Sequence, residues 1–284
     1  MGIEALVSSA DENTDEATQA QQEAIERDMK STCLLSGILP LSTLDEDFTG
    51  HLVYLEKLKL MKQNYRGIRR LRRDGNCFYR AFGFAYIEYL LNGKLIKEAG
   101  RFKKKCDECK DTLIANGYTQ FTVEDFHEQF VGMVDRFTVD GIFRLLCRVF
   151  TTLSFCVHSK KAGYFVNFID EGKTINQFCE TEVEPMARES DNIHVAALAL
   201  AVELPIYVEN CQQSGELNRI EFPAYSDLIL DNAGETSSDN HDIHSEQVSN
   251  EDDSFINNYK QNSSSPPVTL LYRPGHYDIL YPNS

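Results

Sequence analysis

The chain has 284 residues, of which 42% are hydrophobic, and a formal net charge of −16, so it holds one large domain or two small ones. The longest fully apolar run, 195–202, is far shorter than the roughly 20 residues of a membrane span, so we expect no membrane association. The excess acidic residues lie in segments 1–29 and 226–258. The rest is near neutral and lacks the basic face of a nucleic-acid-binding protein, so no nucleic-acid partner is expected.

The cysteines and the N-terminal sequence bear on cellular location. The first residues have neither the basic start nor the apolar stretch of a secretory signal, so we expect a cytoplasmic protein and leave a nuclear location open. The eight cysteines are then expected to be reduced. The single C-x-x-C pair, Cys106 and Cys109, has no second ligand pair at the spacing of a zinc site, so we expect no metal and no cofactor.

The first 45 residues are interpreted as an acidic N-terminal arm, and 46–284 as the main domain. Residues 1–30 have too few large apolar side chains to form a core. Segment 15–29 contains no glycine or proline and is predicted to be a helix, which at this length needs a partner surface to persist. Its apolar stripe consists of Ala17, Ala20, Ala24, Ile25 and Met29.

Helical periodicity begins near Leu52, where apolar residues recur at spacing three. A turn at 73–76 precedes a helix that begins at Cys77, and further helices are predicted over 121–137, 139–157, 174–185 and 193–202. A basic run is interpreted as a solvated helix face, the alternative being a docking site for an acidic partner. It comprises Lys57, Lys59, Lys62, Arg66, Arg69, Arg70, Arg72 and Arg73.

The strands are predicted late in the chain. Segment 205–209 is predicted to be a strand, and 268–272 with 276–281 to be a hairpin around Arg273-Pro274-Gly275. Between them, 226–265 is polar and nearly aperiodic, and we interpret it as a disordered acidic insert, either an inert loop or a docking segment. Helices in the middle and strands late in the chain favour an α+β fold.

One cysteine occupies a position suited to chemistry. Cys77 follows the turn Asp74-Gly75-Asn76 and begins a predicted helix. Gly75 permits the positive φ of a sharp turn. The unpaired N–H groups and the dipole of a helix N-terminus lower the pKa of a thiol, and the same turn can direct N–H groups at an oxyanion. The alternative is a cysteine that only packs at a helix start.

A base for this thiol is found two hundred residues later. His276 and Asp278 are two positions apart in a predicted strand, so their side chains share one face. Asp278 could accept a hydrogen bond from the ring of His276 and fix its tautomer. An isolated H-x-D is more often a polar strand face. Preceded by Cys77, it is typical of a papain-like thiol hydrolase.

Two long motifs carry a family resemblance. Residues 74–82, DGNCFYRAF, resemble the nucleophile motif of the ovarian-tumour (OTU) family of deubiquitinases. Residues 272–280, YRPGHYDIL, resemble the histidine strand of the otubain branch of that family. Segments 121–127, 182–186 and 189–194 are also similar to otubains, and 15–29 resembles the N-terminal helix of the first of the two otubains.

The resemblance implies a papain-like fold in which a small β-sheet packs between helices. It implies hydrolysis of isopeptide bonds at the ubiquitin C-terminus, with a preference for lysine-48-linked polyubiquitin. Cys77 would be the nucleophile, His276 the general base and Asp278 the orienting residue, while Asp74 would shape the turn with Gly75 and Asn76. The implied partners are ubiquitin, polyubiquitin and ubiquitin-conjugating enzymes, with Ala20, Ala24, Ile25 and Met29 contacting a second ubiquitin.

Other interpretations stay open at this stage. The chain could be a non-catalytic protein that binds and restrains ubiquitin-conjugating enzymes, or a thiol protease of another ubiquitin-like modifier. The complete set of Cys77, His276 and Asp278 favours catalysis. His194, at the start of an apolar helix, could line a partner site, or it could be a buried or capping histidine. The acidic insert and Arg73, where proline often precedes the Asp-Gly pair, depart from the family pattern.

Overall fold

The computed structural model describes residues 31–93, 95–115, 117–125, 127–128, 172–183, 185, 187–222 and 267–283. The helices predicted over 15–29 and 139–157 and the acidic insert 226–265 therefore lie outside the described residues, as do Ala20, Ala24, Ile25 and Met29. Within the described part of the chain, no helix has the length and apolar character to cross a membrane.

A six-stranded mixed sheet forms the centre of the fold. Its strands lie in the order β1-β2-β6-β5-β3-β4, and only the β3–β5 pair is parallel. The predicted strand and hairpin near the end of the chain are confirmed. The strands are β1 Leu35–Leu39, β2 Tyr65–Leu71, β3 Ile206–Asn210, β4 Asn218–Phe222, β5 Val268–Arg273 and β6 His276–Pro282.

The helices predicted near residues 52, 77, 174 and 193 are all present. In chain order these and one further helix are α1 Leu52–Asn64, α2 Cys77–Gly93, α3 Ile96–Ala115, α4 Ile175–Phe178 and α5 Asn192–Val202. Residues 120–125 and 127–128 are also helical, and the rest of the helix predicted over 121–137 lies outside the described residues. A 3₁₀ turn, Leu41–Leu44, precedes α1, and a π turn, Cys179–Val183, follows α4. The hydroxyl of Thr174 accepts a hydrogen bond from the Gln177 N–H at 3.2 Å, so Thr174 caps α4.

Helices cover both faces of the sheet. On one face, α2 and α5 pack against β5 and β6 through residues such as Phe82, Leu198 and Ile279. On the other, α1 and the 3₁₀ turn pack through residues such as Leu58 and Leu280. Ile279 and Leu280 enter different clusters because neighbouring side chains of a strand point to opposite faces. This layering confirms the α+β fold with a sheet between helices.

The boundary predicted at residue 45 is wrong. Residues 35–44, assigned to the arm, belong to the folded domain, since Leu39 of β1 lies opposite Ile68 of β2 and both Leu41 and Leu44 are buried. Strand β1 escaped prediction because it is a five-residue edge strand interrupted by Gly37, too short for a periodic signal.

The basic run is not a solvated helix face. It crosses from α1 into β2, and several of its cations are used inside the fold. Lys57 is buried and donates to the backbone oxygens of Gln212 and Ser214 at 2.6 and 3.2 Å. Arg69 pairs with Glu88 at 3.0 Å. These contacts replace the helix-face interpretation with a structural role.

The position of the domain boundary gives a direct test. Leu44 is 0% exposed in the second core cluster, so Leu44→Ala should lower the free energy of unfolding by about 2–5 kcal/mol through lost burial and a residual cavity. Leu52, which is 75% exposed, is the control, and Leu52→Ala should change it by no more than about 0.5 kcal/mol. Denaturant unfolding measures both, and equal small effects would place Leu44 outside the cooperative fold.

Candidate active site

The turn before α2 is built around one glycine. Gly75 has a φ of +71°, and a Cβ at this position would lie 2.2 Å from the carbonyl oxygen of Ala187. Only glycine therefore combines this backbone conformation with so close an approach. The side-chain oxygen of Asn76 accepts the N–H of Ala187 at 3.1 Å, so the turn is fixed to the loop that precedes α5.

Asp74 is held by a buried arginine one turn into α2. Its two carboxylate oxygens accept hydrogen bonds from Nη1 and Nη2 of Arg80 at 3.0 and 2.6 Å. Oδ1 also accepts the N–H of Asn76 at 3.1 Å. With both oxygens engaged by these donors, Asp74 shapes the turn. Cys77 is the first residue of α2, and a helix provides no intrahelical acceptor for an N–H at that position, so it can donate to an oxyanion.

His276 and Asp278 are joined on one face of β6. Nε2 of His276 lies 3.0 Å from Oδ1 of Asp278, and both residues are buried, Asp278 to 0% exposure. Oδ1 also accepts the N–H of Leu71 at 2.9 Å, and Oδ2 accepts Nη2 of Arg273 at 2.5 Å. Burial opposes ionisation, but the bond to His276 and the charge of Arg273 outweigh it and lower the pKa of Asp278. Asp278 is therefore a carboxylate.

The thiol of Cys77 lies beside the backbone of the histidine strand. Its Sγ accepts the N–H of Tyr277, the residue after His276, at 3.4 Å. Burial raises the pKa of Cys77 to about 11, and the charges of Asp278 and Asp74 act in the same direction. The expectation of a lowered thiol pKa is thus wrong for this conformation, because desolvation of the buried sulfur outweighs the hydrogen bond from Tyr277.

The ring nitrogen that faces away from Asp278 is the one available to the thiol. Nδ1 of His276 is buried and has no hydrogen-bond partner among the described residues. No hydrogen bond joins it to Sγ of Cys77 in this structure. A short movement that brings Nδ1 to Sγ would allow the proton to pass to the ring, and the resulting imidazolium would compensate the thiolate.

The structure assigns His194 to a different role. It is the third residue of α5, and its Nδ1 accepts the N–H of Asp191 at 3.0 Å, which closes the N-terminus of the helix. Burial lowers the pKa of its ring, and the residue is only 6% exposed. These contacts agree with the interpretation of His194 as a buried or capping histidine, and the alternative, a contact with ubiquitin, stays a prediction.

Two functional contacts escaped sequence reasoning. Arg80 lies six residues after Asp74, a spacing that returns its side chain to the turn once α2 is assumed. Arg273 lies directly opposite His276 across the hairpin, so the register of the two strands was the signal that could have located it. Within the described residues, no group of three or more histidine, cysteine, aspartate or glutamate side chains could hold a metal ion.

Comparison with known sequences identifies relatives along almost the whole chain. Two overlapping segments, 27–154 and 145–282, match the family Peptidase C65 Otubain. Ubiquitin thioesterase OTUB1 of Rattus norvegicus is 35% identical, over 94% of this chain and 90% of its own length. OVARIAN TUMOR DOMAIN-containing deubiquitinating enzyme 1 of Arabidopsis thaliana is 34% identical, over 86% of this chain and 79% of its own length.

Comparison with solved structures gives the same relatives. A complex described as h/ceOTUB1-ubiquitin aldehyde-UBCH5B~Ub is similar with a TM-score of 0.73 and 25% identity, covering 96% of this chain and 99% of the other. A ceOTUB1 ubiquitin aldehyde UBC13~Ub complex is similar with the same TM-score and identity, covering 93% and 99%.

The burial of the thiol leads to a prediction about its reactivity. Iodoacetamide should label Cys77 slowly in the chain alone, with a rate that rises toward a midpoint well above the ordinary thiol pKa of about 8.5, because burial disfavours the thiolate. Labelling of the Cys77 peptide is followed by mass spectrometry across pH, with the exposed Cys33 as the internal control. A midpoint below neutral pH would contradict this and show a thiolate already formed.

The contacts of Asp278 predict a large stability effect. Asp278→Asn places an amide N–H₂ or a neutral oxygen against Arg273. Removing one partner of a buried ion pair should lower the free energy of unfolding by about 3–5 kcal/mol. Because the folded pKa of Asp278 is lowered, its contribution is full above the unfolded pKa of about 3.9 and is lost as pH falls through the lower folded value. Denaturant unfolding should therefore show a smaller difference in the free energy of unfolding between wild type and Asp278→Asn at pH 3 than at pH 7.

The matched control for that experiment is a half-exposed pair. The carboxylate of Asp45 accepts a hydrogen bond from Nζ of Lys62 at 2.7 Å on the surface. Asp45→Asn should therefore lower the free energy of unfolding by less than about 1 kcal/mol. Similar losses in Asp278→Asn and Asp45→Asn would mean that the contacts of Asp278 are not retained in solution.

Proposed function

The chain belongs to the otubain family of C65 peptidases, and on that premise we propose that it is a deubiquitinating cysteine protease that hydrolyses isopeptide bonds at the ubiquitin C-terminus. One observation carries the proposal. Cys77, at the start of α2, lies against the strand on which His276 is locked to Asp278, with Nδ1 of the ring left unpaired among the described residues. This arrangement suits acyl transfer through a thiol.

In the proposed reaction, Nδ1 of His276 takes the proton of Cys77, and the thiolate attacks the carbonyl carbon of the terminal glycine of ubiquitin. The oxyanion is stabilised by the N–H of Cys77, on a turn that Asp74 and Arg80 hold in shape. The imidazolium of His276 then protonates the leaving lysine amine. Water, activated by the same ring, hydrolyses the thioester, and the thiol is restored.

Asp278 orients the ring in this scheme. Its hydrogen bond with Nε2 leaves Nδ1 as the nitrogen that exchanges the proton with Cys77, and its negative charge stabilises the imidazolium. A catalytically competent complex requires Nδ1 to reach Sγ, because the isolated arrangement holds the sulfur as a thiol.

The substrate class follows from the family resemblance. We propose a preference for lysine-48-linked polyubiquitin, with the apolar stripe of segment 15–29 in contact with the second ubiquitin of the chain. The domain organisation proposed with it is an acidic arm that ends near residue 34, followed by a catalytic domain that the acidic insert 226–265 interrupts. The alternative substrate class is another ubiquitin-like modifier.

A second function is favoured by the similar complexes. The solved structures in which OTUB1 relatives occur contain ubiquitin aldehyde together with UBCH5B~Ub or UBC13~Ub. We propose that this chain also binds ubiquitin-conjugating enzymes and restrains ubiquitin transfer without cleavage. The two activities are compatible, because restraint requires a docking surface and hydrolysis requires Cys77.

We also propose that the protein acts in the cytoplasm, with the nucleus left open. Cys33, Cys77 and Cys211 carry free thiols, which is consistent with a reducing compartment.

A ubiquitin with a C-terminal electrophile tests the proposed function. The chain should form a one-to-one covalent adduct on the Cys77 peptide, and Cys77→Ala should form none. His276→Ala should lower turnover of di-ubiquitin about as severely as Cys77→Ala, because the two groups act as one unit. Cys211→Ala, which removes another buried thiol, is the matched control and should keep its activity.

The outcome separates the alternatives. An adduct with the ubiquitin probe but not with an equivalent probe of another ubiquitin-like modifier supports a deubiquitinase. The reverse selectivity supports a protease of that modifier. Failure of both probes to react, together with inhibition of a charged conjugating enzyme, would leave only the binding function.

The N-terminal arm gives a separate prediction. Removing residues 1–30 should leave hydrolysis of a small fluorogenic ubiquitin conjugate nearly unchanged, because that substrate has no second ubiquitin for the arm to hold. Cleavage of di-ubiquitin should weaken mainly through KM, and restraint of ubiquitin transfer should weaken too, since a segment that folds on contact binds modestly. Steady-state kinetics on both substrates measure this. Equal losses on the two substrates would show instead that the segment supports the catalytic domain.

A further inference from the structure

An alternating chain of charges ends at the catalytic carboxylate. Arg70 donates to Oδ2 of Asp47 at 2.6 Å, and Nη1 of Arg273 donates to the same oxygen at 3.2 Å. Nη2 of Arg273 donates to Oδ2 of Asp278 at 2.5 Å, and Oδ1 of Asp278 meets His276. One guanidinium therefore bridges an acid near the surface and the buried acid that holds the histidine.

The two carboxylates that Arg273 bridges differ in burial. The side chains of Arg273 and Asp278 are 4% and 0% exposed, whereas Asp47 is 28% exposed. A carboxylate in so dry a position takes up a proton unless a fixed charge compensates it, and an adjacent arginine lowers its pKa by about 1–3 units. The hairpin register, which places Arg273 opposite His276, keeps that charge in place.

We propose that Arg273 is a positioning residue of the reaction, which keeps Asp278 ionised and directed at His276. The inference deepens the proposed function and rests on it. Arg273 is buried behind the carboxylate and acts through Asp278, so it should influence the rate of the chemical step more than the binding of ubiquitin. A neutral Asp278 could donate a proton to the ring instead of accepting one, which would favour the wrong tautomer of His276.

Other charged groups also face Asp278. His276 shares its strand, Cys77 approaches from the start of α2, and Arg73 lies on the turn after β2. Arg73 keeps contact with solvent, but partial desolvation of its guanidinium and the charge of Arg273 lower its pKa. Among these cations, Arg273 is the arginine that hydrogen-bonds the carboxylate in the described part of the chain.

The first experiment removes the charge and then restores it. In Arg273→Gln, which keeps a hydrogen-bond donor but loses the charge, the acid limb of kcat for di-ubiquitin should move up by about one pH unit or more. KM should stay nearly unchanged. Arg273→Lys keeps the charge, so its acid limb should remain close to that of the wild type, with a moderate loss of kcat.

The second variant separates a charge effect from a structural one. Asp47→Asn removes the acid that competes for Arg273, so the full charge acts on Asp278 and the acid limb should stay in place or move down. If Arg273 served only as a structural tie between Asp47 and Asp278, cutting either contact would act in the same direction. Because Asp47 is partly exposed, this variant is expected to fold even if Arg273→Gln does not.

The matched control removes an arginine from another buried acid of the same sheet. Arg219 pairs with Glu209 at 3.0 Å, away from the catalytic residues. Arg219→Gln should lower stability without moving the acid limb of kcat. A shift in this control as large as that of Arg273→Gln would show a general response to destabilisation and overturn the proposal.

Two results contradict the proposal directly. The acid limb of Arg273→Gln could coincide with that of the wild type, or that of Asp47→Asn could rise. If the wild type cleaves no ubiquitin substrate, the proposed function fails instead, and the effect of Arg273 on Asp278 is then tested by unfolding alone.

The loss in free energy of unfolding caused by Arg273→Gln should be smaller at pH 5 than at pH 7, because an uncompensated Asp278 can take up a proton. Equal losses at both pH values would refute the inference.

Discussion

The proposed active site depends on one buried negative charge, the carboxylate of Asp278. The carboxylate of Asp278 accepts hydrogen bonds from the backbone of Leu71 in β2, from Arg273 in β5 and from His276 in β6. These donors come from three adjacent strands of the sheet, so a correctly formed sheet is the condition under which the charge is compensated. Desolvation favours the neutral form of a buried acid, but the three donors that the sheet supplies stabilise the carboxylate of Asp278.

Desolvation also disfavours the charged form of Cys77, and there it is not compensated. Cys77 has the N–H of Tyr277 as a donor to its sulfur, and one such contact is too little to hold a thiolate in a buried site. On His276, the proposed general base, Nδ1 is buried without a partner among the described residues. One further interaction, a hydrogen bond between Nδ1 and Sγ, would therefore satisfy both atoms together.

The sequence predicted the parts of this site that depend on local spacing. The turn with Gly75 and the strand positions of His276 and Asp278 follow from backbone preference and two-residue alternation, and both are found. Prediction of the thiol pKa failed because it considered only the helix N-terminus, which is local, whereas the burial that raises the pKa arises only when the sheet is packed. Strand β1 and the role of Arg273 were missed for the same reason, since each is defined by pairing with a strand that is distant in sequence or by register across a turn.

The loop before α5 contacts the turns that precede Cys77 and His276. At one end, Ala187 packs against Gly75 and donates to Asn76, and at the other a Cβ at position 275 would lie 2.8 Å from the carboxylate of Glu189. Gly75 and Gly275 have φ values of +71° and +70°, so each turn needs glycine for its conformation, and Gly75 needs it also because the backbone of Ala187 occupies the space of a Cβ. The loop therefore contacts both turns, while the position of Cys77 beside the histidine strand is fixed directly by the N–H of Tyr277 and by the packing of α2 on β5 and β6.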